Sequence, residues 1–320
     1  MKMPGLAKHS LVVFVALTAI AMDGTAVMSQ QTYTPGHLYV AQGSDIRSKV
    51  FRYPLGSNGL PSTKPDGALD LDFIFPGSIA IGPDGDLYVA SAGSGNNCGH
   101  RCFVDVFAPG ASGRAKAIRR LYVSAGPLFI AVDTRGYLDV HSYKTGYDYT
   151  DVYLPNASGH DRPINQFMTP GVNWLTAWDG VVYIQTSEKS VESVGQRSNG
   201  QGAEEYQYPY YSADGVTTDG TFLYAAVFYQ EGRTDYLGTY IFDIRRPSAP
   251  VRTIIGLGCT VHVSGGALGY GMAVYKHYLF ESCIDGKQSG VVQVYDTAKS
   301  GMQRPVMQVR SGLAGVAIGP

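Results

Sequence analysis

GSIAIGPDGDLYVAS, from Gly77 to Ser91, is the stretch that decides the fold. Two β-rich runs, IAI and LYVA, flank a Pro-Asp-Gly turn. Proline presets the reversal and glycine supplies its positive φ, so the stretch reads as a β-hairpin. The unit recurs as FIAVDTRGYLDVHS from Phe129, WLTAWDGVVYIQT from Trp174, VTTDGTFLYAAV from Val216 and, with a shorter turn, GMAVYKHYLFES from Gly271. GLAGVAIGP, from Gly312 to Pro320, is only the first half of the unit, and a matching second half, HLYVAQ, stands at His37 to Gln42. Complementary half-units near the two ends predict a ring closed by its own termini.

Equivalent strand positions Leu38, Leu87, Leu138, Val182, Leu223 and Leu279 lie 49, 51, 44, 41 and 56 residues apart. Periods of this size belong to four-stranded propeller blades. A third strand signal ends each time in a Pro, Gly, Ser or Asn turn, as in VDVFAPGASG from Val104 and TDVYLPNASGH from Thr150. A fourth strand signal comes next, as in AKAIRRLYV from Ala115 and RPINQFM from Arg162. The expected fold is therefore all-β: a six-bladed β-propeller of four-stranded antiparallel blades. Leu313–Gly319 is its C-terminal innermost strand and pairs with the N-terminal strands from His37 onward. Such closure leaves no open edge for aggregation.

Composition agrees. Hydrophobic residues make up 44% and charged residues 16% of the 320, with 40 Gly, 17 Pro and 23 Tyr, the profile of a turn-rich β protein. The formal net charge of −1 with scattered Lys and Arg builds no basic face, which argues against nucleic acid as a partner. Residues 1–29 read as a secretory signal peptide: Lys2 and Lys8 precede the apolar run LVVFVALTAIAM, Leu11 to Met22. That run is shorter than the roughly 20 residues a bilayer span requires, and the rest of the chain holds no second such run. The expectation is one propeller domain over residues 30–320, secreted or periplasmic, with no membrane span in the mature chain.

IAIGPDGDLYVA followed by VDVFAPGASG resembles the NHL-type and gluconolactonase-like six-bladed propellers, and the resemblance covers nearly all of residues 30–320. The Trp178-Asp179 dipeptide sits in a first hairpin turn, which is not where WD repeats carry theirs. Gluconolactonase-like enzymes, as the resemblance implies, hold a divalent ion with Glu, Asn and Asp side chains at the upper ends of the innermost strands. Oxygen ligands of that kind suit Ca2+, which could polarise a lactone or phosphoester. The six corresponding approaches in this chain read PGSIAI (Pro76), AGPLFIAV (Ala125), PGVNWLTA (Pro170), ADGVTT (around Asp214), GALGYGMAV (Gly266) and GLAGVAI (Gly312). Only Asp214 matches, with Asn173 second. One or two ligands do not make a metal site, so none is assigned. His262, on the crossing CTVHVSGG, is the remaining acid/base candidate.

With strands lettered A to D from the centre outward, the A–B and C–D turns share one rim. The longer, more varied B–C loops and D–A crossings share the other, the upper rim, where function is expected. All four cysteines map to it. Of three possible pairings, position favours Cys98–Cys102 and Cys259–Cys283. A metal site built on Cys98, His100 and Cys102 lacks paired ligand spacing. Tyrosines gather in the same loops: EEYQYPYYSAD with Tyr210, Tyr211 and Asp214, SYKTGYDY with Tyr143 and Tyr147, and FYQEGRTDY with Tyr229 and Arg233. They either form a binding surface or pack between blades. The reading is a non-catalytic propeller that binds a small molecule, glycan or protein on its upper rim and needs no cofactor. The alternative is a Ca2+-dependent propeller hydrolase or lyase with Asp214, Asn173 and His262.

Overall fold

The computed structural model describes residues 36–43, 48–73, 76–91, 102–144, 147–169, 171–186, 189–198, 200, 202–231, 234–260, 271–284, 290–310 and 315–320. Residues 1–29, the expected signal peptide, lie outside them. The described residues belong to one unit, Gln31–Pro320, and contain strands but no helix.

Six antiparallel sheets form six blades. Blade 1 contains β1 (His37–Gln42), β2 (Lys49–Pro54) and β3 (Gly67–Asp70), and blade 2 contains β4 (Pro76–Ile81), β5 (Leu87–Ser91), β6 (Phe103–Phe107) and β7 (Arg119–Tyr122). Blade 3 contains β8 (Gly126–Val132), β9 (Leu138–Lys144), β10 (Tyr147–Tyr153) and β11 (Asn165–Met168). Blade 4 contains β12 (Val172–Trp178), β13 (Val181–Thr186), β14 (Ser190–Gly195) and β15 (Gly202–Gln207). Blade 5 contains β16 (Tyr211–Thr218), β17 (Phe222–Glu231), β18 (Thr234–Asp243) and β19 (Arg252–Thr260). Blade 6 contains β20 (Met272–Tyr275), β21 (Tyr278–Ile284), β22 (Gly290–Asp296) and β24 (Met307–Arg310), preceded by the short β23 (Gly301–Gln303).

The ring closes as the two half-units require. β25 (Val316–Gly319) is the inner strand of blade 1 and pairs antiparallel with β1 from His37↔Gly319 to Val40↔Val316. The Tyr39 hydroxyl donates to the Pro320 carbonyl at 2.6 Å, and the Gly36 N–H donates to the Gly319 carbonyl at 2.8 Å.

Alternation along each strand sends one set of side chains toward the preceding blade and the other toward the following blade. The result is six apolar clusters, one in each seam. Two residues past the repeat position of each second strand stand Val40, Val89, Val140, Ile184 and Ala225. All are buried in these clusters. The sixth equivalent is Glu281, and it is buried too.

One device was not anticipated from the sequence. The C–D turn of a blade reaches back to the outer strand of the blade before it. Leu69 bridges Gly113 in parallel, Leu121 bridges Gly159, and β23 adds to β19 as a full parallel strand through Ile254↔Gly301, Ile255↔Met302 and Gly256↔Gln303. Gly113, Gly159 and Gly301 all have positive φ, which explains the Ser-Gly ending of each turn. The outer edges of blades 1, 2 and 5 are covered in this way.

A second correction concerns EEYQYPYYSAD. Its first part is β15, the outer strand of blade 4, and residues 208–210 alone make the crossing to β16 of blade 5. Propensity hid that strand, because paired Glu residues are poor strand formers.

Candidate upper-rim binding site

The lower rim is regular. Its A–B turns interlock: the Trp178 ring lies over Gly220 of the next blade, and Arg135 lies over Gly180. Trp178-Asp179 thus belongs to a first hairpin turn, as its sequence position suggested, and Asp179 takes a positive φ of 44° there.

The upper rim breaks the repeat. In blades 2 and 5 the second strands differ by a factor of two, 5 residues in β5 and 10 in β17. The β17–β18 ladder runs without interruption to Glu231↔Thr234. Val227 is level with Ser91, the last described residue of β5, and β17 continues four residues beyond it, about 13 Å at ~3.3 Å per residue. The β9–β10 hairpin of blade 3, 7 residues per strand, rises less and closes at Lys144↔Tyr147.

Four inner strands carry an irregularity where they reach this rim: between Pro76 and Ile79, Pro127 and Phe129, Val172 and Trp174, and Ser212 and Val216. Bulges of this kind re-aim side chains near a sheet end. Two of them are tied to a neighbouring blade. Ser78 Oγ accepts from the Ile130 N–H at 2.7 Å. Gln185, fully buried, accepts from the Gly215 N–H at 2.9 Å and donates to the Ala226 carbonyl at 2.6 Å. The inner strands of blades 6, 1 and 2 touch through glycine. A Cβ on Gly271 would strike the Val316 nitrogen, and one on Gly315 would come within 2.8 Å of the Ile79 nitrogen.

Of the residues singled out in the sequence, Tyr147 is the plainest surface group, 63% exposed at the start of β10. Asn173 is half-buried in the bulge of β12. Tyr143, Tyr211, Asp214 and Tyr229 have strand backbones at the upper ends of β9, β16 and β17, and their side chains lie outside the described set. Arg233, His262 and Cys98 lie wholly outside it, as does the side chain of Cys259. Cys102 and Cys283 are both disulfide-bonded. In EEYQYPYY, Tyr206 and Tyr208 are buried, and Tyr210 is half-buried and stacks on Tyr240 at 6.4 Å between ring centroids. All three pack between blades 4 and 5, Tyr210 with part of its ring still exposed.

His141 is also interior. It is 1% exposed, lies flat against Phe129 at 5.7 Å, and its Nδ1 faces the Thr169 hydroxyl at 3.2 Å. Burial pushes its pKa down to about 4, against the opposing pull of the Asp148 carboxylate. It is a neutral packing group. Among the described residues no three His, Cys, Asp or Glu side chains converge to hold a metal ion. A groove of about 370 Å³ does exist, but on the outer wall between blades 1 and 2. Two of its three acids are paired, Asp105 with Arg120 at 2.6 and 2.8 Å and Asp70 with Lys49 at 2.7 Å.

The class this geometry defines is the six-bladed β-propeller. No model of a known protein family matches the chain, and no curated protein matches it. Among solved structures it is similar to a chain of the mitotic checkpoint complex, at 12% identity over 85% of this chain and 76% of that one, with a TM-score of 0.51. It is also similar to the WD40 β-propeller domain of Doa1 (13% identity, 70% of this chain, 65% of that one, TM-score 0.44). The WD40 domain of Toxoplasma gondii coronin is a third (13% identity, 89% and 67%, TM-score 0.44). The chain thus spans about two thirds of the Doa1 chain's length. At these identities the likeness is one of fold. Among the described residues no helix is long and apolar enough to cross a membrane.

Proposed function

We propose that this protein is an exported propeller that binds a small molecule, glycan or protein partner on its upper rim and performs no catalysis. The observation that carries this reading is the contrast between the rims. The lower A–B turns are short and locked into one another, whereas the β17–β18 hairpin stays paired as far as Glu231↔Thr234, beyond the last pairing of β17 with the inner strand at Tyr211↔Phe228. Strand pairing that extends beyond the packed disc has no core to serve, and a rigid projecting hairpin presents side chains at low entropic cost. The backbones of Tyr143, Tyr147, Tyr211, Asp214 and Tyr229 reach that rim in blades 3 to 5, and Arg233 follows the described end of β17 in sequence. Tyr and Arg are the residues most often found at binding hot spots.

The finer resemblance to NHL-type and gluconolactonase-like propellers fits the same fold. A lactonase-type Ca2+ site draws carboxylates and amides from the inner-strand approaches. Gly271 and Gly315 stand at two of the six, each with neighbouring backbone where a side chain would go. This favours binding over hydrolysis.

Glycan and peptide arrays probed with the wild type, a Tyr147→Ala variant and a variant with residues 229–234 replaced by a two-residue turn test the proposal. Retained folding with lost array signal in the variants is expected. Equal signal in all three, or none above background in any, overturns it. A stoichiometric calcium ion in the purified protein that is lost in Asp214→Ala would favour the hydrolase instead.

A further inference from the structure

Glu281 is the one carboxylic acid at a position where the other five blades bury Val40, Val89, Val140, Ile184 or Ala225. It sits in the middle of β21, 1% exposed, opposite Met272 on the inner strand and Gln293 on β22. Its neighbours Leu279 and Cys283 on the same face of β21 belong to the apolar cluster between blades 5 and 6. From blade 5, the Thr239 hydroxyl on β18 donates to its Oε1 at 2.6 Å.

The other titratable groups described in this seam are Tyr224 from β17 and Tyr295 from β22, both neutral because burial raises them. Arg252 on β19 is turned away, its Nη1 bonded to the Thr297 carbonyl at 2.5 Å. Asp219, at the lower end, holds the Tyr224 hydroxyl at 3.0 Å. No described cation faces Glu281. Among the described residues, a carboxylate there would be a buried charge with no counter-charge and one hydroxyl for solvation.

We propose that the seam between blades 5 and 6 is a proton-controlled joint: it packs tightly while Glu281 is neutral and loosens locally when Glu281 ionises. The five aliphatic equivalents show that the fold asks for no acid at this position. The seam also lies directly beneath the raised β17–β18 hairpin, so loosening it would release the element on which the proposed binding depends.

Linkage sets the direction. Burial lifts the Glu281 carboxyl from its ordinary 4.5 to about 7. The closed seam therefore holds its proton over a range where an opened seam has released it, and closure weakens as pH rises from 4.5 through 7. Between pH 6 and 8.5 those two values favour opening by about another tenfold.

Hydrogen exchange, corrected for intrinsic chemistry, tests this at pH 6 and pH 8.5 on the wild type, Glu281→Gln and Glu281→Val. Wild-type amides of β18 and β21 are expected to lose about tenfold in protection relative to those of β5 and β13. Both variants should hold theirs constant. Equal pH dependence in wild type and Glu281→Gln overturns the joint. So does a loss shared by every blade. The readout is the fold's own, so it stands or falls independently of whether the upper rim binds anything.

Discussion

Replacing His141 by Gln exposes how much the blade 3–4 seam depends on a neutral ring. Gln is the natural choice because Gln185 holds the equivalent place in blade 4, three residues past the repeat position. In the native fold the imidazole is almost fully buried and its pKa falls from 6.5 to about 4. A depressed base binds fewer protons folded than unfolded, so its contribution is fully present above pH 6.5 and is lost as pH falls toward 4. At 1.36 kcal/mol per unit the loss approaches about 3 kcal/mol. At pH 7 the variant forfeits the stack on Phe129, about 1 kcal/mol, while its amide can still meet the Thr169 hydroxyl. The wild type should therefore be the more stable by about 1 kcal/mol at pH 7, and the variant by about 2 kcal/mol at pH 4. For a chain of this size the difference corresponds to several degrees in Tm. Thermal unfolding of both proteins at half-unit pH intervals from 4 to 7.5 reads it directly, because the surface carboxylates contribute equally to both curves and cancel. Curves that stay parallel throughout would refute the reasoning.

Two other perturbations act on the inner ring. Gly315→Ala places a Cβ within 2.8 Å of the Ile79 nitrogen, a backbone atom that cannot swing aside. A stability loss at or above the usual 1–3 kcal/mol of overpacking is expected in denaturant titration, and an unchanged midpoint would mean the blades can part there. Gln185→Leu keeps the volume but strips partners from the Gly215 N–H and the Ala226 carbonyl, both buried. Two orphaned groups should cost about 2–5 kcal/mol, read as a lowered Tm with increased exchange at Gly215.

The ring itself was legible because its evidence is local. Turn chemistry at Asp84-Gly85, Arg135-Gly136 and Asp219-Gly220 is written in adjacent residues, and a recurring hairpin at propeller period names the fold without any long-range contact. Complementary half-units at His37 and Val316 even announced the closing ladder, which forms in the register His37↔Gly319.

What the sequence could not decide was everything that depends on a neighbouring blade. Tyr206, Tyr208 and Tyr210 alternate as either a surface or a packed strand would, and only the blade 5 wall that meets them shows that they pack. The Ser-Gly turns looked like chain reversals, yet Gly113, Gly159 and Gly301 serve to pair with strands of the preceding blade. Glu281 was visible inside LFES as a break in an aliphatic position. Its protonation, however, is set by Thr239 and the apolar wall of blade 5, 42 residues earlier in the chain. A sequence records propensities and periods. Desolvation, the energy that makes one buried acid or histidine consequential, exists only once two blades have closed over it.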